Sequence, residues 1–220
     1  MYRFKAVVGR IDRPTPILDS KIFESILNPY WTVPRSIIEK DIMPLMQKDP
    51  NYLTDNKIRL FDSAGNEIDP STINWRADKA PPLMFRQDPG KINATASTKI
   101  NFHNEHAVYM HDTPQQGLFN KLSRFDSSGC VRVQNIREME TWLLRDTPGW
   151  GRMRIERVVQ SGVNTPIRLA AEIPVYFRYV TARSEKDGVV QFRDDIYHLD
   201  GQRELALDTG MNQEPSTVEY

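Results

Sequence analysis

Three features of the sequence predict a β-rich α+β fold with a small helical complement. The opening Tyr2-Arg3-Phe4-Lys5-Ala6-Val7-Val8-Gly9 alternates apolar and polar residues and closes on glycine, the pattern of a half-buried strand. Segments 107–111 and 129–134 repeat that alternation. Strand-like segments dominate the rest of the chain, and the helical patterns are few and short.

Between 12 and 34 stand Pro14, Pro16, Pro29 and Pro34, which exclude a long helix. Ile22-Phe23 and Ile26-Leu27 fit a helix or a short strand equally well. From Ser36 to Lys48 the spacing predicts a helix, with Ile37, Ile38, Ile42, Leu45 and Met46 on one side. Pro44 should kink it or end it early. Residues 50–92 turn polar, with turn signals at Ala64-Gly65-Asn66, Asp69-Pro70, Pro81-Pro82 and Asp88-Pro89-Gly90. Trp75, Leu83, Met84 and Phe85 give that stretch something to bury, so it reads as an excursion packed on the main sheet and a candidate lid. In 107–111, Val108 and Met110 share one strand face while Tyr109 and His111 share the other. Asp112-Thr113-Pro114 ends the strand, with Asp112 as an Asx-type turn cap. In 129–134, Val131 and Val133 take one face; Cys130, Arg132 and Gln134 take the other. Asn135 is the expected N-cap of a helix, with Glu138 at the capping-box position and Ile136, Met139 and Leu143 as the apolar stripe. A shorter helix over 152–160 ends at Ser161-Gly162. Strands are expected over Ile173–Ala182 and Val189–Tyr197 around a turn at Asp187-Gly188, and 201–220 reads as a polar tail.

Lys plus Arg and Asp plus Glu are 29 each, so the formal net charge is zero, which disfavours non-specific nucleic-acid binding. No apolar run approaches the roughly 20 residues of a membrane helix. Met1-Tyr2-Arg3-Phe4 runs straight into a strand pattern without a secretory leader, so the residues alone suggest a cytoplasmic protein or a fragment. Cys130 is the single cysteine, which excludes an internal disulfide and a Cys-paired metal site.

Alternation puts Cys130 on the face opposite Val131 and Val133. Gly129 before it permits a sharp turn, and the neighbouring N–H groups can face a developing oxyanion. Arg132 on the same face favours a thiolate, and His111 stands on the reactive face of another strand, as an activated cysteine nucleophile requires. The competing reading of Cys130 is a buried structural thiol. Tyr109 reads equally as a substrate contact or a half-exposed strand aromatic. His103 and His106 have no recognised ligand spacing with His111, so no metal is expected. Trp31, Trp75, Trp142 and Trp150 read as packing residues, with a cleft wall as the alternative for Trp75 in the excursion.

The stretch Tyr109-Met110-His111-Asp112-Thr113-Pro114, then Phe119, Arg124 and Ser127-Ser128-Gly129-Cys130-Val131-Arg132-Val133, resembles the signature of the L,D-transpeptidase (YkuD-type) catalytic domain. Arg3 to Arg10 with Thr15-Pro16, then Asn28 to Pro34 and Phe85 to Gly90, resemble its YcbB (LdtD) subgroup of Gram-negative bacteria. The resemblance implies a β-sandwich-like catalytic domain over 1–200, with a mainly helical or irregular capping insertion at about 35–85. It implies no cofactor, Cys130 as nucleophile, His111 as general base and acid held by a backbone carbonyl, and Arg132, Ser128, Gly129 and Tyr109 around the oxyanion and substrate. The implied substrates are peptidoglycan stem peptides, joined as 3→3 diaminopimelate cross-links in the periplasm, with carbapenem β-lactams as covalent inhibitors. After Gly90 the sequence Lys91-Ile92-Asn93-Ala94-Thr95-Ala96-Ser97 departs from the subgroup's Asn-Leu-Gly element. The same Cys/His pair would serve an L,D-carboxypeptidase or a lipoprotein-anchoring acyltransferase. An inactive peptidoglycan-binding module is the non-enzymatic alternative.

Overall fold

The computed structural model describes residues 2–184 and 188–201. They fall into two compact units, one ending at Phe177 and one beginning at Arg178. In the first, the chain forms β1 (Ala6–Gly9) and β2 (Leu18–Leu27), then leaves the main sheet at β3 (Trp31–Thr32). A helical run comes next as α1 (Arg35–Ile37), a π turn (Ile38–Ile42), α2 (Met43–Lys48) and α3 (Tyr52–Asp55). β4 (Ile58–Phe61), β5 (Glu67–Ile68) and β6 (Met84–Gln87) complete a four-stranded sheet in the order β3-β6-β4-β5. The chain then re-enters the main sheet through β7 (Thr98–Phe102), β8 (Met110–His111), β9 (Phe125–Ser127) and β10 (Val131–Val133). After α4 (Ile136–Leu143) and α5 (Arg152–Ser161), β11 (Thr165–Phe177) completes seven strands in the order β11-β2-β7-β8-β10-β1-β9. The fold is β-rich α+β, as the alternation and the few, short helical patterns predict. No helix among the described residues is long and apolar enough to cross a membrane.

The undecided segment at 22–27 is strand. β2 pairs with β11 along its length and with β7 over Ile22 and Glu24–Leu27, so its C-terminal half is offered ladder bonds on both sides. The excursion does not simply pack on the main sheet. Val33, Ile38, Leu53, Leu60 and Phe85 close a core of their own, with Trp75 edge-on to Phe85 at 6.1 Å between ring centroids.

Because α2 runs on to Lys48, Pro44 does not end the 36–48 helix. Its ring would collide with the carbonyl of Lys40, four residues back. The π turn just before it relieves this: the Met43 N–H donates to Ile38 O, five residues back. The wider turn also rotates the buried face. Met43 joins Ile38, Ile42 and Met46 in the core, and Leu45, expected on that face, is exposed. The capping box at Asn135 is absent too. Asn135 adopts the left-handed conformation (φ 53°) and makes no side-chain cap; its carbonyl accepts the Glu138 N–H instead.

The second unit pairs β12 (Ala182–Ser184) with β13 (Val190–Phe192). The expected strand 173–182 is therefore two strands. The first runs along its partner β2 from Thr165 opposite Leu27 to Phe177 opposite Leu18. The return strand is shorter than expected. Asp187 of the expected turn, and residues 202–220 of the expected tail, lie outside the described residues.

The α4 face holds a carboxyl that the sequence pattern did not single out. Glu140 is fully buried, neither of its oxygens is hydrogen-bonded, and Ser25 faces it without closing a bond. Burial pushes its pKa up from 4.5 to about 7, with Ser25 only partly opposing. Well below pH 4.5 the carboxyl is neutral folded and unfolded, so its ionisation costs nothing. Between 4.5 and 7 the folded state binds the extra proton, and stability falls as pH rises until both states are ionised. The full cost is on the order of 3 kcal/mol. Urea unfolding of the wild type and Glu140→Gln at pH 5 and pH 8 checks this. The wild type should lose stability between the two pH values by about that amount more than the variant.

Candidate active site

Three adjacent strands hold the chemistry in register. Lys99 on β7 lies opposite His111 on β8, and His111 lies opposite Arg132 on β10. Ladder partners share a sheet face. The strands expected over 107–111 and 129–134 are shorter, and Tyr109 and Cys130 stand just before them, yet both open on the same cavity as His111 and Arg132. The other face carries Val108, Met110, Val131 and Val133 into the core. Tyr109, His111, Cys130 and Arg132 line a cavity of about 280 Å³, whose remaining wall includes Trp31, Ile37 and Asp41 from the inserted sheet and helices.

The loop before Cys130 is braced from several sides. Gly129 has φ +111°, a conformation that favours glycine. Its N–H donates to Ser127 Oγ at 3.2 Å, and Ser127 Oγ donates to Cys130 O at 2.6 Å. The Gly129 N–H is thus engaged and not offered to an oxyanion, leaving the Cys130 N–H as the candidate donor. Thr15 Oγ1 donates to Gly129 O at 2.8 Å and accepts from Gly9 N–H at 2.9 Å. Gly9 is required there, because a Cβ would stand 2.2 Å from Arg13 O. Ser128 Oγ accepts from Arg13 Nη1 at 3.0 Å, and Arg13 grips Asp41 of the π turn with two bonds of 2.7 and 3.2 Å. That fork ties the loop to the inserted helical run.

His111 is 6% exposed, and its Nδ1 donates to the backbone carbonyl of Asp112 at 2.5 Å. A carbonyl can only accept, so the ring proton sits on Nδ1 and Nε2 carries the lone pair. Burial, then the Arg132 and Lys99 charges, push the imidazole down from 6.5 to about 3. It is therefore neutral, in its base form, at ordinary pH. The Asp112 carboxylate turns away, accepting from Ser97 Oγ at 2.6 Å and Thr113 N–H at 2.8 Å, as a turn cap does.

The thiol departs from expectation. Burial pushes the Cys130 pKa up, and the nearby Tyr109, Lys99 and Arg132 only partly offset it. A desolvated thiolate loses more hydration than the two cations return, so the resting pair is a neutral thiol and a neutral imidazole.

Tyr109 is largely buried rather than half-exposed. Its hydroxyl accepts from Trp31 Nε1 at 2.9 Å and lies beside the Cys130 thiol. Arg132 is mostly buried, with Nη1 on Gln115 Oε1 at 3.3 Å. His103 stacks on Phe23 and pairs with Glu172, away from His111, whereas His106 lines the cavity. Sequence reasoning gave no site role to four residues in or near the cavity: Arg13, Trp31, Asp41 and Lys99. Each is brought in by long-range pairing or by the π turn, and of the four only Trp31 stands in a segment that resembles the family.

Fold and cavity define a class: a β-rich α+β domain in which one thiol, a base-form imidazole and an arginine share a cleft. Residues 1–167 match the family model of the YkuD L,D-transpeptidase catalytic domain, and the chain belongs to that family. It is 37% identical over 203 residues to a Haemophilus influenzae protein named "Putative L,D-transpeptidase", an alignment covering 92% of this chain and 41% of that protein. The chain therefore spans about two fifths of that relative's length.

Proposed function

We propose that this chain is the catalytic domain of a peptidoglycan L,D-transpeptidase of the YcbB-like subgroup, working in the cell envelope with the 31–87 insertion as its cap. The observation that carries the reading is the His111 ring, fixed by a backbone carbonyl with Nε2 free, in the same cavity as the single thiol and Arg132. Nε2 takes the Cys130 proton as Sγ attacks the carbonyl of diaminopimelate at position 3 of a donor tetrapeptide. The oxyanion is met by the Cys130 N–H and by Arg132. The imidazolium returns the proton to the departing D-Ala amine, and a thioester remains. The side-chain amine of a second diaminopimelate attacks it, its proton passes to Nε2, and the thiol is regenerated with a 3→3 cross-link formed. Ser128, held by Arg13, keeps the loop at its distance from the cap.

Incubation with disaccharide-tetrapeptide and mass analysis of the products tests the reading. A 3→3 dimer supports it. A tripeptide alone replaces it with an L,D-carboxypeptidase, and unchanged substrate points to a binding module.

Carbapenems place a strained lactam carbonyl where the donor carbonyl would lie. One adduct per chain is expected on Cys130 by intact mass and peptide mapping. Arg132→Ala should slow its formation by roughly tenfold or more, as loss of one oxyanion donor does. An adduct on a lysine or serine would remove Cys130 from the mechanism.

A further inference from the structure

We propose that Lys99 is the specificity residue for the acyl donor, its ammonium forming with Arg132 a subsite for the carboxylate of the amino acid that leaves; this rests on the acyl-transfer reading above. Lys99 is mostly desolvated, and its Nζ lies 4.3 Å from the centroid of the Tyr109 ring, a wall of the cavity. Among the described residues no carboxylate closes an ion pair with it. The nearby Glu24 accepts from Asn101 Nδ2 at 2.8 Å instead. Arg132 also has spare capacity, since its Nε is buried without an acceptor. The Tyr109 ring and the Glu24 charge only partly offset the cost of desolvating this ammonium, and an anion arriving beside it would offset more.

The ladder says where that anion would come. Lys99 and Arg132 are the two cross-strand neighbours of His111. The leaving amine takes its proton from His111 Nε2, and in a C-terminal amino acid the carboxylate is two bonds from that amine. A negative charge therefore arrives beside the imidazole, between the two cations. Glu24 and Asp126 act on the two cations without closing an ion pair with either, and an ester or amide at that end would bring no anion between them, so the site selects donors that end in a free carboxylate.

Two experiments separate this subsite from the reaction it serves. In the first, stem tetrapeptides ending in D-Ala as free acid or as primary amide are compared by kcat/KM. The wild type should favour the acid by about tenfold or more, Lys99→Met should lose the preference, and Lys99→Arg should recover part of it. In the second, Cys130, the single thiol, is alkylated with iodoacetate or iodoacetamide; sulfur displaces iodide and the thiol proton goes to buffer. The iodoacetate-to-iodoacetamide rate ratio, normalised to a small free thiol, should be raised in the wild type, fall with added salt, and drop in Lys99→Met.

Altered ratios without any peptide turnover would leave the anion subsite standing and remove the proposed reaction. Turnover with acid and amide treated alike, together with a free-thiol ratio, would overturn the subsite and leave acyl transfer intact. Should Lys99→Met fail to fold, the wild-type ratio and its salt dependence decide alone. Preference retained in a folded Lys99→Met would reduce Lys99 to a prop for Tyr109.

Discussion

Cys130→Ala should abolish turnover, by roughly four to six orders of magnitude, while the protein stays folded. The thiol lines the cavity, and the core on the opposite face is filled by Val131 and Val133 without it. Its loss enlarges an existing cleft and opens no sealed void, so the stability change should stay below about 1 kcal/mol. Turnover of the disaccharide-tetrapeptide and a urea melt are the two measurements. Activity retained in a clean preparation would sink the nucleophile assignment. A loss of several kcal/mol would mark Cys130 as a core residue.

His111→Ala should cost roughly two to four orders of magnitude in kcat/KM, and Asp112→Asn little. An asparagine at 112 keeps the backbone carbonyl that holds Nδ1; its Oδ1 can still accept from Thr113 N–H, and its Nδ2 can donate to Ser97 Oγ, the hydroxyl then accepting instead of donating. The pH profile adds a sharper check. With the imidazole held near 3, below its ordinary 6.5, the base form persists as pH falls through 6.5. The acid limb should therefore lie well below 6.5. The thiol titrates above its ordinary 9.0, so alkylation by iodoacetamide should accelerate only at strongly alkaline pH. An acid limb near 6.5, or a thiol midpoint well below 9, would mean a resting thiolate–imidazolium pair instead. If Asp112→Asn proved as damaging as His111→Ala in a folded protein, an acid-supported triad would be the better model.

Much of the site is legible in alternation alone. A strand has a side-chain period of two, so Val131 and Val133 in the core oblige Cys130 and Arg132 to face the cleft, and Val108 with Met110 do the same for Tyr109 and His111. The carbonyl hold on His111 is an implication of the family resemblance, and the carbonyl of Asp112 fills that role. Alternation within one strand says nothing about which strands become neighbours. Lys99 beside His111, and Arg13 gripping both Asp41 and Ser128, depend on pairings between residues far apart in sequence. The helix at 36–48 is legible as a helix, but its buried face is not, because a π turn upstream of Pro44 adds a residue to one turn and rotates the positions C-terminal to it.

Charge state is the least legible property. From the sequence, an arginine two residues from a cysteine argues for a thiolate. In the folded protein the same neighbourhood is desolvated, and desolvation acts on every charged form at once. Strand geometry is local, so the order of residues in and just before β8 and β10 was enough to say which side chains face the cleft. How those side chains ionise, and what stands beside them, came only with the folded chain, because burial and cross-strand pairing are properties of the whole molecule.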